Sequence, residues 1–216
     1  MSKNTLDPID QTRPADIFVA YPWSKDEASA VVAPRADIRW KSIQKQIEGA
    51  VAAVEKSAAK RPATRPFNIH VRRLRGRHGQ FLLFTLLERL KNAELLVMDI
   101  GSSDGDGFNQ NVLVELGMAI GLDKLAAVGI FILMPKGLLL PSDLQGFLYS
   151  AYELNADGEI KFVDPQGFHA AIRSSIRDIA RRKGMLGYSR DNDEEEEVGS
   201  ENAKPITAKS RRGKGI

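Results

Sequence analysis

Glu115 is the residue whose type and position most demand a chemical explanation. The run Asn111–Leu122 carries apolar residues at helical spacing, and positions 112, 115, 116, 119 and 122 share one stripe. Four of these are Val112, Leu116, Ala119 and Leu122; the fifth is Glu115. A carboxylate on a core-facing stripe is costly unless it is paired, hydrogen-bonded or set at a cleft. The first turns of a helix also favour an anion through their backbone amides. Just before this run, the strand-like stretch Glu94–Ile100 ends in Asp99, and a loop of glycine and aspartate follows. Tyr21, Pro22 and Trp23 close an earlier apolar run, Asp16–Tyr21. Two carboxylates and an aromatic platform at the ends of successive strands could together handle a nucleotide or nucleoside. The acids would face a developing cation or sugar hydroxyls, and the rings would stack on a base. Simpler readings stay open at this point. Glu115 could pair with an arginine, Asp99 could cap a turn, and Tyr21 and Trp23 could be core aromatics.

The stretch Lys60–Arg77 is rich in arginine and reads mainly as a solvated surface. Arg75 and Arg77, in the run Arg75-Gly76-Arg77-His78-Gly79 between a strand and a helix, are the two best placed for phosphate binding. His70 and His169 read as structural. With 3 histidines and no cysteine, no metal site is expected. The lack of cysteine excludes disulfides, thiolate ligands and a cysteine nucleophile.

The elements that must position these residues alternate. Strands are expected at Asp16–Tyr21, Phe67–Leu74, Glu94–Ile100, Ala126–Met134 and Phe147–Leu154. Helices are expected at Asp37–Lys56, Gly79–Lys91, Asn111–Leu122 and Pro165–Lys183. That alternation argues for a mainly parallel five-stranded sheet covered on both faces. In such a sheet ligands bind beyond the carboxyl ends of the strands, where Asp99, the 101–108 loop and Tyr21 would meet. The segment Pro141–Tyr149 could close the same cleft.

The 216 residues suffice for one domain with a full core. Residues 1–15 read as a flexible arm, 16–188 as the domain, and 189–216 as a disordered charged tail. The tail joins the acidic block Asp191–Glu197 to a basic end. The polar start Met1–Asp16 does not read as a secretory signal, and the apolar runs are short for a bilayer, so a cytoplasmic protein away from the membrane is expected. A net charge of +3 permits an anionic ligand without demanding nucleic acid, which is not favoured as a partner.

Three strings carry a resemblance: DIFVAYPW (16–23), LLVMDIGSSDGDGFNQNVLVELGMAIGL (95–122) and LPSDLQGFLYSAYEL (140–154). Together they resemble the nucleoside 2-deoxyribosyltransferase-like and TIR-like nucleotide-binding families of bacteria, some of them linked to defence. The resemblance implies a flavodoxin-like three-layer α/β sandwich that cleaves or transfers an N-glycosidic bond. It implies Glu115 as the catalytic glutamate and Asp99 as an acid that positions the base or sugar. It implies Asn111, Tyr21, Pro22 and Asp143 as substrate-side residues. NAD or another nucleotide would be the substrate, with no cofactor. A homo-oligomer or an activating protein partner would fit the defence branch. Deoxyribosyltransferases proper carry an aspartate- and glycine-rich run just before the glutamate. Here Asn109-Gln110-Asn111 stands instead, which favours the NAD-hydrolase or antiphage effector branch. The alternative is a non-catalytic module of the same fold that senses a nucleotide or binds a partner.

Overall fold

The computed structural model describes residues 14–22, 33–61, 65–74, 82–102, 106–122 and 129–186. Trp23, Arg75, Arg77, most of the expected N-terminal arm and the expected tail lie outside the described residues.

The elements in chain order are β1 (Ala15–Ala20), α1 (Ala33–Ala58), β2 (Ile69–Arg73), α2 (Leu82–Asn92), β3 (Ala93–Asp99), α3 (Gln110–Gly121), β4 (Gly129–Pro135), β5 (Leu148–Leu154), β6 (Ile160–Phe162) and α4 (Pro165–Arg182). They build one sheet in the order β2-β1-β3-β4-β5-β6. The first five strands are parallel, and β6 runs antiparallel to β5. The architecture is the expected flavodoxin-like α/β sandwich, with six strands where the sequence suggested five. The sixth has three residues, Ile160-Lys161-Phe162, too few to show an alternating pattern. It folds back on β5 through a turn in which Gly158 takes a φ of 88°.

Strand alternation splits the core into two layers. Ile17, Val19, Leu95, Val97, Phe131, Leu133 and Tyr152 point to the face covered by α1 and α4. Phe18, Ala20, Leu96, Met98, Ile132 and Met134 point to the face covered by α2 and α3. Helix α1 buries Trp40, Ile43, Ile47, Ala50 and Val54 at spacings of three and four. Helix α4 starts at Asp164, whose side chain accepts the Gly167 amide at 2.9 Å, with Pro165 in its first turn. It ends at Gly184 in the left-handed region, where the Met185 amide reaches back to the Ala180 carbonyl at 2.8 Å.

Strand order reverses between β1 and β3: β2 lies beyond one, β4 beyond the other. The crevice at their carboxyl ends is where open parallel sheets bind ligands. From β4 the chain reaches β5 without an α-helix. It crosses through residues 136–147, in which Leu138, Leu140, Leu144 and Phe147 pack on the α2/α3 core. Among the described residues, no helix is long and apolar enough to cross a membrane.

Candidate functional site

The amino-terminal half of α1 reaches three strand ends at the carboxyl edge of the sheet. Asp37 pairs with Arg73 at the end of β2 (2.9 Å). Trp40 stacks on Tyr21 just after β1, with ring centroids 5.9 Å apart. The Arg73 guanidinium lies over both rings, 4.9 Å from Trp40 and 5.7 Å from Tyr21. Arg39 reaches the end of β3.

Asp99 is wholly buried there. Arg39 clamps it with two hydrogen bonds, Nε to Oδ2 at 2.6 Å and Nη2 to Oδ1 at 2.7 Å. The Tyr152 hydroxyl on β5 donates to Asp99 Oδ1 at 2.7 Å and accepts from Arg39 Nη2. Burial works against the Arg39 charge, but Asp99 and Tyr152 outweigh it and hold the guanidinium above its usual value. Burial, reinforced by Asp99, also raises the Tyr152 phenol and keeps it a neutral donor. The close approach needs Gly101: a Cβ there would stand 2.5 Å from the Pro135 ring and 2.6 Å from the Tyr152 oxygen.

The third arm of Arg39 leads into the loop after β3. Its Nη1 donates to the Ser102 carbonyl at 2.7 Å. Ser102 and Gly107 then close a small hairpin: the Ser102 amide donates to the Gly107 carbonyl (2.7 Å), and the Gly107 amide to the Ser102 hydroxyl (2.9 Å). Gly101 bridges to Phe108, and the Asn109 amide donates to the Ile100 carbonyl at 2.8 Å. Asn109 is the N-cap of α3, its side-chain oxygen accepting the Val112 amide at 3.1 Å. One chain of contacts thus runs from α1 and β5 to the start of α3.

Glu115 lies in the second turn of that helix. Val112, Leu116 and Ala119 around it are buried, and Glu115 itself is partly buried. It makes no hydrogen bond or ion pair among the described residues, so no described arginine pairs with it. Burial alone pushes its carboxyl from the ordinary 4.5 up to about 7. Such a carboxyl can meet a cation, or take up and release a proton, without first breaking a contact.

No protein-family model and no curated protein matches the chain.

The structure brings the sequence-predicted residues together only in part. Glu115 and Asp99 sit in different layers: Asp99 faces α1, and Glu115 rides on α3 across the sheet. Asp99 has its oxygens committed to Arg39, Tyr152 and the Gly101 amide. Tyr21 is buried in its stack with Trp40, and Pro22 is buried beside it. Asn111 is exposed in the first turn of α3, while Asn109 does the capping. Asp143 is exposed in the short 3-10 turn Ser142–Leu144, taking the Ser142 hydroxyl at 3.2 Å. Among the described residues no cluster of His, Asp and Glu could hold a metal.

Arg39, Trp40, Arg73 and Tyr152 did not emerge as site residues from the sequence. Arg39 had a readable signal, because it precedes Ile43 and Ile47 by four and eight residues on the buried stripe of α1. A cation on one apolar stripe and an acid ending an apolar strand each demand a partner, and here they are each other's.

Proposed function

We propose that the protein hydrolyses the N-glycosidic bond of NAD or a closely related pyridinium nucleotide, with Glu115 as the reacting carboxylate. The observation that carries this reading is the sheltered Glu115 in the second turn of α3, unpaired among the described residues, on the helix that follows the carboxyl end of β3. The resemblance of residues 16–154 to the deoxyribosyltransferase-like and TIR-like families supports the same role.

The placement of Asp99 supports a pyridinium nucleotide over a nucleoside within this reading. A nucleoside base needs a proton as it leaves, and an acid must supply it. Asp99 is enclosed and held by Arg39 on the opposite layer from Glu115, so it is not free to protonate a departing base. A pyridinium leaving group needs no proton: the C1–N bond breaks, its electron pair neutralises the ring nitrogen, and nicotinamide departs. The cationic C1 that remains is stabilised by the Glu115 carboxylate. Water then bonds to C1 and releases a proton, giving the hydrolysed ribose. Depletion of NAD would suit an effector of antiphage defence, the branch the resemblance favours.

The test is turnover of NAD, NADP, nucleosides and deoxynucleotides, followed by chromatography for wild type and Glu115→Gln. Wild type is expected to release nicotinamide, and Glu115→Gln to lose at least about a hundredfold in rate. The wild-type rate should climb as pH rises through about 7, since the ionised carboxylate is the working form. Equal rates in the two proteins would end this reading. Saturable nucleotide binding with no turnover would point to a sensing module.

A further inference from the structure

We propose that Arg39, Asp99 and Tyr152 are positioning residues for Glu115, holding the paired hairpin arms 100–102 and 107–109 that fix where α3 begins. The inference deepens the reading of Glu115 as the reacting carboxylate and rests on it. Its argument is the continuity of contacts. Asp99 ends β3, and two residues later Arg39 grips the Ser102 carbonyl. Ser102 is tied to Gly107, Gly101 to Phe108, and Ile100 to Asn109. Asn109 then caps α3. Phe108 packs on the α2/α3 core with Val112 and Leu116, so the hairpin crosses from one layer to the other. Nothing in core packing alone requires an arginine to spend its third arm on a loop carbonyl. That arm joins a buried ion pair on the α1 side to the helix on the opposite side.

The three residues differ in what they hold. Arg39 grips both Asp99 oxygens and Ser102, which a lysine ammonium cannot do from one position. Tyr152 adds a single hydroxyl between Arg39 and Asp99. Arg39→Lys should therefore loosen the hairpin more than Tyr152→Phe. A looser hairpin lets the first turns of α3 shift and admits water around Glu115.

The experiment reads Glu115 directly and needs no turnover. The Glu115 carboxylate is followed by carbon NMR in protein labelled at glutamate, assigned by its absence in Glu115→Gln, and titrated in wild type, Arg39→Lys and Tyr152→Phe. Gly184→Ala, which strains the end of α4 away from the hairpin, serves as a destabilised control. Wild type and the control are expected to titrate near 7. Arg39→Lys should fall by roughly one unit or more toward the ordinary value, and Tyr152→Phe by less. A folded Arg39→Lys that titrates with wild type overturns the positioning role while leaving Glu115 as read. A wild-type midpoint near 4.5 overturns the reading of Glu115 itself. Should Arg39→Lys fail to fold, an unchanged midpoint in Tyr152→Phe overturns the proposal, and a lowered one upholds it.

Discussion

A sheltered carboxyl without a partner weakens the fold whenever it is charged. Glu115 titrates at about 7 in the folded chain, against an ordinary 4.5. The folded state therefore holds the proton more tightly than the unfolded chain does. The stability this confers is complete below about 4.5 and is lost as pH rises through about 7. Partial exposure moderates the effect, which is on the order of 2 kcal/mol. Glutamine keeps the shape and never ionises. Glu115→Gln is thus expected to match wild type near pH 4.5 and to exceed it by about 2 kcal/mol at pH 8. Urea unfolding of both proteins at the two pH values measures it. A gap that does not change with pH would mean that the charge carries no cost. The Arg39–Asp99 pair behaves oppositely: its charges are matched, so its worth lies in geometry more than in net stability.

Elements with long periodic patterns were legible, and those that depend on distant partners were not. The stripes of α1, α3 and α4 and the apolar runs of β1, β3 and β4 are intrinsic to their segments. Glu115 stood out because it breaks such a stripe. Asp99 was equally visible, but its meaning was set by Arg39, 60 residues earlier, and Tyr152, 53 residues later. No local pattern reports a pairing of that range. Helix α1 starts at Ala33, before the expected Asp37, and its buried face centres on Trp40 and Ile43, leaving Ile38 only partly buried. Arg39 is buried next to Trp40 at that end of the helix. Helix α3 offers the clearest test at this scale, because its start is where the hairpin delivers its effect. Asn109 satisfies the Val112 amide, one of the donors that a helix leaves open at its first turn. Asn109→Ala is expected to cost about 1 kcal/mol, while Asn109→Asp, which keeps the acceptor, should cost much less. Thermal melts of the two variants check this. Equal losses would show that side-chain capping contributes little here.

Among the described residues the two layers of the molecule are unequal, and Glu115 lies on the lighter one. On one face, α1 and α4 together bury Trp40, Ile43, Ile47, Ala50, Val54, Phe168, Ile172, Ile176 and Ile179. Phe168 sits at the centre of that layer, stacked on Phe162 and edge-on to Phe131. On the other face α2 fully buries only Leu90 among its described residues, while Leu83 and Phe84 stand exposed. Helix α3 adds Val112, Leu116 and Ala119, and the remainder is covered by the irregular crossover 136–147, with Leu139 exposed. Stability follows buried apolar area, so the two layers should open at different free energies. Native-state amide exchange read by mass spectrometry is expected to rank the segments. Peptides from β1, β3, β4, α1 and α4 should exchange only with global unfolding. Those from α2 and 136–147 should exchange through smaller openings, with α3 between, anchored at its start by the hairpin. Uniform protection across both layers would refute the asymmetry. Arg39→Lys supplies the decisive contrast, because it cuts the tie between the layers. Its added exchange should concentrate in residues 100–115 and leave α4 protected, which a general loss of stability would not do.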